Sequence, residues 1–308
     1  MTVSFEGRVV IVTGAGHGLG KNYAQAFAAR GARVIVNDLG GSSKGEGADG
    51  SVAQSVSDAI KAAGGDAIPN TDSVEQGHRI VESALDCYGR VDVVVNNAGI
   101  LRDAAFHKMT HEEWDQVIRV HLSGAFQVTR AAWPHMRSQG YGRVVMTSSG
   151  AGIYGNFGQA NYSAAKLGLY GLGQALAIEG ASKNVLVNTI APVSASRLTA
   201  AVMPADLSAA LKPEFVTPLV LYLSSERCKV AGQLFEVGGG CVARLRWERS
   251  KIVSFDSQFS PEDVAASWET IQEFPGNDNP STIADCFAPV RRNLADHSIP
   301  NRIIERNG

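Results

Sequence analysis

The sequence predicts a doubly wound α/β protein, in which helices cover both faces of a mostly parallel sheet. Short runs of β-branched residues alternate with longer stretches of helical period, and that alternation is typical of successive βαβ units. A glycine-rich turn at residues 13–20 separates the first strand from the first helix. The chain has 308 residues, of which 44% are hydrophobic and 19% charged, so it is long enough to bury a large core.

The strands follow from the apolar runs, and the helices from the stretches between them. Strands are predicted at residues 9–12, 33–37, 66–68, 91–95, 143–147, 185–190 and 234–237. Helices are predicted at residues 19–30, about 51–63, from Ser73 onward, from Thr110 to about Arg137, and about 159–181. Five glycines within residues 40–50 predict an irregular loop after the second strand.

Capping patterns mark several helix starts. Ser73 precedes Gln76 by three residues and Thr110 precedes Glu113 by three, and both pairs have the spacing of a capping box. Near the end of the chain, residues 260–263 predict another helix start and residues 274–276 a stop. The residues after 243 are too few to bury much core alone. We therefore expect one main domain at residues 1–243 and a C-terminal helical extension, residues 244–308, packed on it.

Charge and cysteine content argue against several kinds of partner. A formal net charge of -2 with a pI near 6.4 gives no sign of nucleic-acid or membrane binding. The four cysteines form no C-x-x-C pair and predict reduced thiols without a metal. His107 and His111 have a metal-ligand spacing, but we expect a surface pair because no third ligand is evident.

The sequence contains no signal for a compartment or a membrane. No apolar run reaches the length of a membrane span, and the first residues do not have the pattern of a signal peptide. Residues 305–308 do not form a peroxisomal S-K-L address. A cytoplasmic location is therefore the expectation.

The glycine turn predicts a dinucleotide site. Its residues are Thr-Gly-Ala-Gly-His-Gly-Leu-Gly, and the candidates for binding are Gly14, Gly16, Gly18, Leu19 and Gly20. Glycines let the main chain approach a pyrophosphate, while the N-terminus of the following helix presents N–H groups to it. The pattern alone is weak, but its place between a strand and a helix strengthens the prediction.

Asp38 follows the second strand, where a carboxylate accepts hydrogen bonds from the hydroxyls of an adenosine ribose. Its charge would repel a 2′-phosphate, which favours NAD over NADP. Lys21 and His17 leave room for NADP, and an aspartate that only forms a turn is the alternative for Asp38.

Tyr162 and Lys166 lie four residues apart on the longest predicted helix, and Ser149 precedes the tyrosine by thirteen residues. A tyrosine ordinarily titrates near pH ~10, so it is inert as a base at neutral pH unless a nearby positive charge favours its ionised form. The spacing of four residues puts the lysine beside the ring. An ammonium about 4 Å away contributes roughly 4 kcal/mol at an effective dielectric constant near 20, which is enough to activate the phenol.

These motifs, in this order, resemble the short-chain dehydrogenases, a family with the Rossmann fold. They are T-G-x-x-x-G-x-G at 13–20, N-N-A-G at 96–99, Ser149, and Y-x-x-x-K at 162–166. The resemblance implies that Ser149 holds the substrate oxygen, that Tyr162 exchanges its proton, and that Lys166 tunes Tyr162 and binds the nicotinamide ribose. It also implies a cofactor role for Asp72, Asn97, Ala98, Gly99 and Pro192. His121 stands where the family often has a relay asparagine, and either serves that relay or is a packed residue.

Further segments resemble one subfamily, the (3R)-hydroxyacyl-CoA dehydrogenase units of peroxisomal multifunctional enzymes of type 2. They include residues 99–103, 131–134, 152–159 and 245–249. The resemblance implies oxidation of a (3R)-hydroxyacyl-CoA thioester with NAD in fatty-acid β-oxidation, and a homodimer or higher homo-oligomer formed through the two long helices. Since an acyl-CoA has an apolar tail, we expect Ile153, Tyr154 and Phe157 to line its cleft.

Two other functions remain open at this point. One is a dehydrogenase of hydroxysteroids or of other secondary alcohols. The other is a non-catalytic NAD(H) sensor or scaffold, against which the intact Ser149, Tyr162 and Lys166 argue.

Overall fold

A computed structural model describes residues 2–194, 211–256 and 258–296. The chain divides into two units, Met1–Leu245 and Arg246–Gly308. The boundary follows the last strand of the first unit. The predicted packing of the C-terminal extension on the main domain stays a prediction, and residues 305–308 lie outside the described part of the chain.

The first unit contains one sheet of eight strands. The strands are β1 (Val9–Thr13), β2 (Arg33–Asn37), β3 (Asp66–Asn70), β4 (Val93–Asn96), β5 (Gly142–Thr147), β6 (Val185–Pro192), β7 (Leu234–Gly238) and β8 (Cys241–Leu245). Their order in the sheet is β3-β2-β1-β4-β5-β6-β7-β8. All neighbours pair in parallel except β7 and β8, which are antiparallel.

Eight helices of this unit are described. They are α1 (Gly18–Ala28), α2 (Gly50–Ala62), α3 (Gly77–Tyr88), α4 (His111–Ile118), α5 (Gly124–Gln139), α6 (Gly150–Tyr154), α7 (Ala160–Gly180) and α8 (Thr217–Ser224). Residues of α1, α2 and α8 share one hydrophobic cluster with the sheet, and residues of α3, α5 and α7 share another. The predicted doubly wound arrangement is confirmed.

The strand sequences explain this burial on both faces. Successive side chains of a strand point to opposite faces of the sheet, and all five residues of β1 are buried. Val10 and Val12 belong to the cluster with α1, whereas Val9 and Ile11 belong to the cluster with α3. A continuous apolar run is therefore what a parallel strand between two helical layers requires.

Two predicted helices differ in detail from the observed ones. Ser73 caps only a 3₁₀ turn, Val74–Gln76, and α3 begins at Gly77. A Cβ at Gly77 would lie 2.3 Å from the backbone nitrogen of Val128, so α3 and α5 approach each other closely there. The helix predicted from Thr110 to about Arg137 is α4 and α5 joined by a π-helical segment, Arg119–Ser123. The capping box of Thr110 and Glu113 is confirmed.

The second unit contains three helices among its described residues. They are α9 (Pro261–Ala266), α10 (Trp268–Ile271) and α11 (Ile283–Asp296). Ser260 and Asp263 form a reciprocal capping box at the start of α9, as the sequence predicts. Gly276 has a φ of +78°, which suits the predicted stop after residue 274.

A buried carboxylate stabilises the amino-terminal edge of the sheet. The Asp92 side chain is 0% exposed and pairs with Arg8 at 2.8 Å and Arg90 at 2.6 Å. It also accepts a hydrogen bond of 2.9 Å from the Val9 backbone nitrogen. Because three donors converge on one buried group, removing its charge leaves them poorly paired.

We expect Asp92→Asn to lower the free energy of unfolding by about 2–4 kcal/mol, measured by urea denaturation. The matched control is Glu226→Gln, since Glu226 also pairs with Arg8 but its side chain is 70% exposed. An exposed ion pair contributes less than about 1 kcal/mol to the free energy of unfolding. Equal losses in the two variants would contradict this account of Asp92.

Candidate active site

A cleft of about 330 Å³ opens at the carboxyl ends of the parallel strands. It lies where the strand order reverses, because β1 has β2 on one side and β4 on the other. In open α/β sheets this crevice is where ligands bind. The predicted site residues Gly14, Gly18, Leu19, Asp38 and Asp72 line one part of the cleft. The other part is lined by Asn97, Ala98, Gly99, Tyr162, Lys166 and Pro192, together with Ser149 and His121.

Backbone conformation or close packing favours glycine at several positions of the turn after β1. Gly14 and Gly18 have φ values of +64° and +49°, which favour glycine. A Cβ at Gly20 would lie 2.1 Å from the Gly14 carbonyl oxygen. Gly20 therefore lets α1 pack on the turn without lining the cleft itself. α1 begins at Gly18, which lines the cleft, and the N–H groups of a helix N-terminus suit an anionic phosphate group.

Asp38 is held in place by two backbone donors. Its Oδ2 accepts a hydrogen bond of 2.8 Å from the Gly16 nitrogen, and its Oδ1 accepts one of 2.7 Å from the Gly40 nitrogen. A Cβ at Gly16 would lie 2.2 Å from Val52 Cγ1 and 2.7 Å from Asp38 Oδ2. Gly16 therefore fixes Asp38 and does not line the cleft. Each carboxylate oxygen keeps a second lone pair for a ligand hydroxyl.

Asp72 belongs to a polar network at the ends of β2 and β3. The Asn37 side chain donates to Asn70 Oδ1 and to the Asp72 carbonyl, both at 2.8 Å. The Asn70 amide in turn donates to Asp72 Oδ2 at 2.8 Å. These bonds fix Asp72 beside Asp38 on the wall of the cleft.

Thr13 joins the glycine turn to the segment after β4, residues 97–103, and it was not among the predicted site residues. Its hydroxyl accepts hydrogen bonds from the backbone nitrogens of Asn97 at 3.0 Å and Ala98 at 3.1 Å. The Asn97 amide donates back to the carbonyls of Thr13 and Gly14 at 3.0 and 3.2 Å. The motif threonine at the head of the glycine turn was the available signal.

A backbone carbonyl and a carboxylate of the loop after Asp38 contact the segment after β4. The Leu101 backbone nitrogen donates to the Ser43 carbonyl at 2.9 Å, and Arg102 pairs with Glu46 at 3.2 Å. Ser43 and Gly45 line the cleft. The loop predicted as irregular at residues 40–50 therefore spans the cleft from the β2 end to the β4 end.

The glycine turn, the fixed Asp38 and the N-terminus of α1 fit a dinucleotide. A side chain at Gly14 would clash with Ala98 in the segment after β4, and one at Gly20 would clash with the Gly14 carbonyl. The close approach of the turn, α1 and this segment therefore requires glycine at both positions. A carboxylate with spare acceptor capacity stands at the end of β2, where an adenosine ribose is bound in this fold. Gly14, Gly18, Leu19, Asp38 and Asp72 are the residues that would hold its adenosine and phosphate portions.

Ser149, Tyr162 and Lys166 lie together at the other end of the cleft. Ser149 caps α6, and its hydroxyl accepts a hydrogen bond of 3.2 Å from the Ala151 nitrogen. It also hydrogen-bonds to the Tyr162 hydroxyl, which lowers the pKa of the phenol. Lys166 Nζ lies 5.5 Å from the centroid of the Tyr162 ring. The spacing of four residues does bring the ammonium beside the ring.

Burial acts on both members of this pair. It raises the pKa of Tyr162 above its ordinary value, and this effect is larger than the lowering by Ser149. It lowers the pKa of Lys166 to about 7. A charged group loses water on burial, so the phenolate and the ammonium are both disfavoured. The activation of the phenol by Lys166 therefore has to overcome the effect of burial, and it stays a prediction.

Two hydrogen bonds hold Lys166, one made by its side chain and one by its backbone carbonyl. Its Nζ donates to the Thr147 carbonyl at 2.6 Å, and the Ser148 hydroxyl donates to the Lys166 carbonyl at 2.7 Å. Gly152 allows α6 to approach, because a Cβ there would lie 2.9 Å from Lys166 Cβ. Thr147, the last residue of β5, and Ser148 directly after it thus set the position of the lysine on α7.

His121 is buried in the π-helical segment. Its Nε2 lies 2.8 Å from the Ile100 carbonyl oxygen and 3.0 Å from the Ile100 nitrogen, while its ring packs edge-on against Tyr162 at 5.1 Å. Burial and the Lys166 charge lower the pKa of His121 to about 3, so the ring is neutral. Its buried Nδ1 has no hydrogen-bond partner among the described residues.

The three residues predicted to line the substrate cleft do not line the cleft described here. Tyr154 is 68% exposed and Phe157 is 89% exposed. Ile153 is partly buried against the cluster of Tyr170, Ala191 and Leu234. A substrate role for these residues stays a prediction.

Within the described ranges, no group of three or more histidine, cysteine, aspartate and glutamate side chains is arranged to hold a metal ion. Over the same residues, no helix has the length and apolar character needed to span a membrane.

Fold and site together define an enzyme class. A dinucleotide cradle at the reversal point of a parallel sheet lies in one cleft with a tyrosine that can exchange a proton. This combination is that of a dehydrogenase that depends on a nicotinamide cofactor.

The chain belongs to the short-chain dehydrogenase family, and the prediction of an oxidoreductase of this family is confirmed. The model for "short chain dehydrogenase" matches residues 8–206. The chain is 50% identical over 272 residues to a short-chain type dehydrogenase/reductase of Mycobacterium tuberculosis, an alignment covering 87% of this chain and 95% of that protein. Members of the family bind NAD or NADP.

The chain is also similar to proteins of the predicted subfamily. The chain is 58% identical over 284 residues to peroxisomal multifunctional enzyme type 2 of Mus musculus, covering 91% of this chain and 39% of that enzyme. The structure resembles full-length peroxisomal multifunctional enzyme type 2 from Drosophila melanogaster, with a TM-score of 0.82 and 38% identity over 96% of this chain and 50% of that one. The chain thus spans only part of the length of these multifunctional relatives.

These comparisons overturn one prediction. The expected cytoplasmic location is wrong, because the mouse enzyme and relatives from Dictyostelium discoideum, Neurospora crassa and Saccharomyces cerevisiae are all named as peroxisomal. The expectation relied on a missing address signal, which is weak ground for assigning a compartment.

Proposed function

We propose that this chain oxidises (3R)-hydroxyacyl-CoA thioesters to 3-ketoacyl-CoA with NAD, as a step of fatty-acid β-oxidation. The observation that carries the proposal is the cluster of Ser149, Tyr162 and Lys166 in the same cleft as the dinucleotide cradle. Relatives that are 50–58% identical are named multifunctional enzymes or hydratase-dehydrogenase-epimerases, which supports this substrate class.

The residues of the chain divide the work on the substrate. Ser149 holds the hydroxyl oxygen at C3, and Tyr162 accepts the hydroxyl proton as the carbonyl forms. Lys166 favours the phenolate of Tyr162 through its charge. The dinucleotide supplies the acceptor for the hydride that leaves C3 and, when oxidised, a positively charged ring.

His121 has a supporting role in this proposal. The His121 ring is neutral and adds no second charge beside Lys166. Because its pKa is lowered to about 3, the ring does not compete with Tyr162 for the substrate proton. It holds Ile100 and packs against Tyr162. Gly99 makes room for it, because a Cβ there would lie 2.3 Å from His121 Cε1.

NAD is the proposed cofactor because the Asp38 carboxylate is held in place as an anionic hydrogen-bond acceptor for the ribose hydroxyls. Two backbone donors prevent the carboxylate from turning away. A 2′-phosphate beside it would place like charges together, at a cost of several kcal/mol.

We expect Asp38→Asn to raise the ratio of kcat/KM with NADP to kcat/KM with NAD at least about 10-fold, since the charge is removed while the shape is kept. Steady-state assays with both cofactors measure the ratio. The control is Asp58→Asn, an exposed carboxylate on α2 outside the cleft. A wild-type protein that prefers NADP, or an unchanged ratio in the variant, would rule out this role of Asp38.

We propose assembly as a homodimer through α5 and α7. Both helices expose large apolar side chains to solvent, namely Phe126 on α5 and Leu167 and Ile178 on α7. Both helices cover the same face of the sheet, so a second copy could bury all three residues. Sedimentation of the purified protein tests this proposal.

The proposed function is tested by following NADH formation with (3R)- and (3S)-hydroxyacyl-CoA of several chain lengths and with a steroid alcohol. We expect turnover of the R thioesters only. Turnover of the steroid with neither thioester oxidised would replace the proposed substrate class. Binding of NAD without turnover of any alcohol would favour a non-catalytic sensor.

A further inference from the structure

Asn161 immediately precedes Tyr162 and is fully buried, with 0% of its surface exposed. Its side-chain nitrogen donates to the Arg102 carbonyl at 3.0 Å and to the Glu113 carbonyl at 3.1 Å. Its side-chain oxygen accepts a hydrogen bond of 2.7 Å from the Tyr162 backbone nitrogen. Both protons of the amide and its oxygen are therefore in use.

The three partners belong to three different elements. Arg102 lies in the segment after β4, Glu113 lies in the first turn of α4, and Tyr162 lies in the first turn of α7. The N-cap residue of α7, Gln159, makes no side-chain capping hydrogen bond. Asn161 thus satisfies a backbone donor of that first turn while fastening it to two other elements.

The segment to which Asn161 is fastened also contacts the cofactor cleft. Ile100 is held by His121 at 2.8 and 3.0 Å, and Leu101 donates to the loop after Asp38. One short stretch of chain therefore contacts the loop that spans the cleft, the histidine beside Tyr162, and the amide next to Tyr162. Buried, fully satisfied networks of this kind hold a unique geometry.

We propose that Asn161 is a positioning residue, which holds Tyr162 against Ser149 and Lys166 for proton exchange. The inference rests on the proposed role of Tyr162 as the base. Without the two donated hydrogen bonds, the first turn of α7 is free to shift relative to the segment after β4. The phenol then loses part of its contact with Ser149, and that contact lowers its pKa.

The test compares Asn161→Ala and Asn161→Ser with the control Gln159→Ala. Gln159 lies on the same turn and hydrogen-bonds to Asp103 of the same segment at 2.8 Å, but that bond is exposed. We expect kcat of Asn161→Ala to fall about 10- to 100-fold, because a displacement near 1 Å costs about that much. The affinity for NAD is expected to stay within about twofold, since Asn161 does not line the cleft.

The pH dependence separates positioning from stability alone. We expect the rising limb of kcat against pH to move to higher pH in Asn161→Ala, with a smaller shift in Asn161→Ser, which keeps one short donor, and none in Gln159→Ala. If the alanine variant does not fold, the serine variant carries the same comparison. An unchanged pH profile in the folded Asn161 variants, with kcat altered no more than in the control, would overturn the inference.

The inference can fail or hold independently of the thioester proposal. The ionisation of Tyr162 in the NAD-bound protein is measured directly as the tyrosinate absorbance lost in Tyr162→Phe, and no substrate is required. A higher pKa of Tyr162 in the Asn161 variants supports the inference even if the thioesters are not oxidised. A pKa equal to that of the wild type would overturn it even if they are.

Discussion

Tyr162→Phe is expected to reduce turnover of the secondary alcohol by about 10³- to 10⁴-fold, the upper part of what a positioned acid or base contributes. The substitution removes one oxygen atom and keeps the ring that packs against His121. The variant lacks the hydroxyl that hydrogen-bonds to Ser149 and that accepts the substrate proton in the proposed mechanism. Stopped-flow measurement of NADH formation under saturating substrate gives kcat directly.

The binding of NAD is expected to change little in Tyr162→Phe, because the cradle for its adenosine and phosphates lies on the other wall of the cleft. Tyr170→Phe is the matched control. Tyr170 lies two turns further along α7 and its hydroxyl accepts from Gln174 outside the cleft. If the two variants lose activity equally, or if Tyr162→Phe keeps a tenth of the wild-type rate, Tyr162 is not the base.

Lys166→Met is expected to lower kcat at neutral pH by about 10²-fold or more, which corresponds to the loss of one close charge from the site. A positive charge beside the ring favours the phenolate and lowers the pKa of Tyr162. Removing that charge raises the pKa, so the rising limb of the oxidation rate moves to higher pH. The measurement is kcat against pH for both proteins.

Stability provides the control for Lys166→Met. Burial lowers the pKa of Lys166 from its ordinary value to about 7, so between that pH and the unfolded pKa the unfolded chain binds more protons. The stability contributed by the neutral amine is therefore present at high pH and lost as pH falls towards 7. We expect the methionine variant to be at least as stable as wild type at pH 7 by thermal denaturation. A variant that is both inactive and much less stable would point to a structural role.

The fold could be predicted because its signals are local. The runs 9–12 and 144–146 are apolar and rich in β-branched residues, and each lies in a strand buried on both faces. The antiparallel strand β8 and the helix α8 were not predicted. All five residues of β8 are at least partly exposed, so it lacks the apolar run that reveals the other strands. The π-helical segment at His121 was also missed, because its sequence differs little from that of an ordinary helix.

The site could be predicted only where its residues follow one another in sequence. The glycine turn and the pair of Tyr162 and Lys166 are such motifs. Thr13 and Asn161 were missed because their hydrogen-bond partners are distant in sequence. Thr13 and its partner Asn97 are 84 residues apart, and Asn161 and its partner Arg102 are 59 residues apart. The pKa values of Tyr162 and Lys166 could not be foreseen either, since burial decides their direction and the sequence does not report it.

A pH titration of Tyr162 tests the proposed chemistry most directly. The tyrosinate absorbance of wild type minus that of Tyr162→Phe is recorded with and without bound NAD. Without NAD, we expect a pKa above the ordinary value of 10.0, because burial raises it. With NAD bound, the charge of the oxidised ring and of Lys166 should lower it by at least about one unit. A pKa of Tyr162 that is the same with and without NAD would contradict its role as the base.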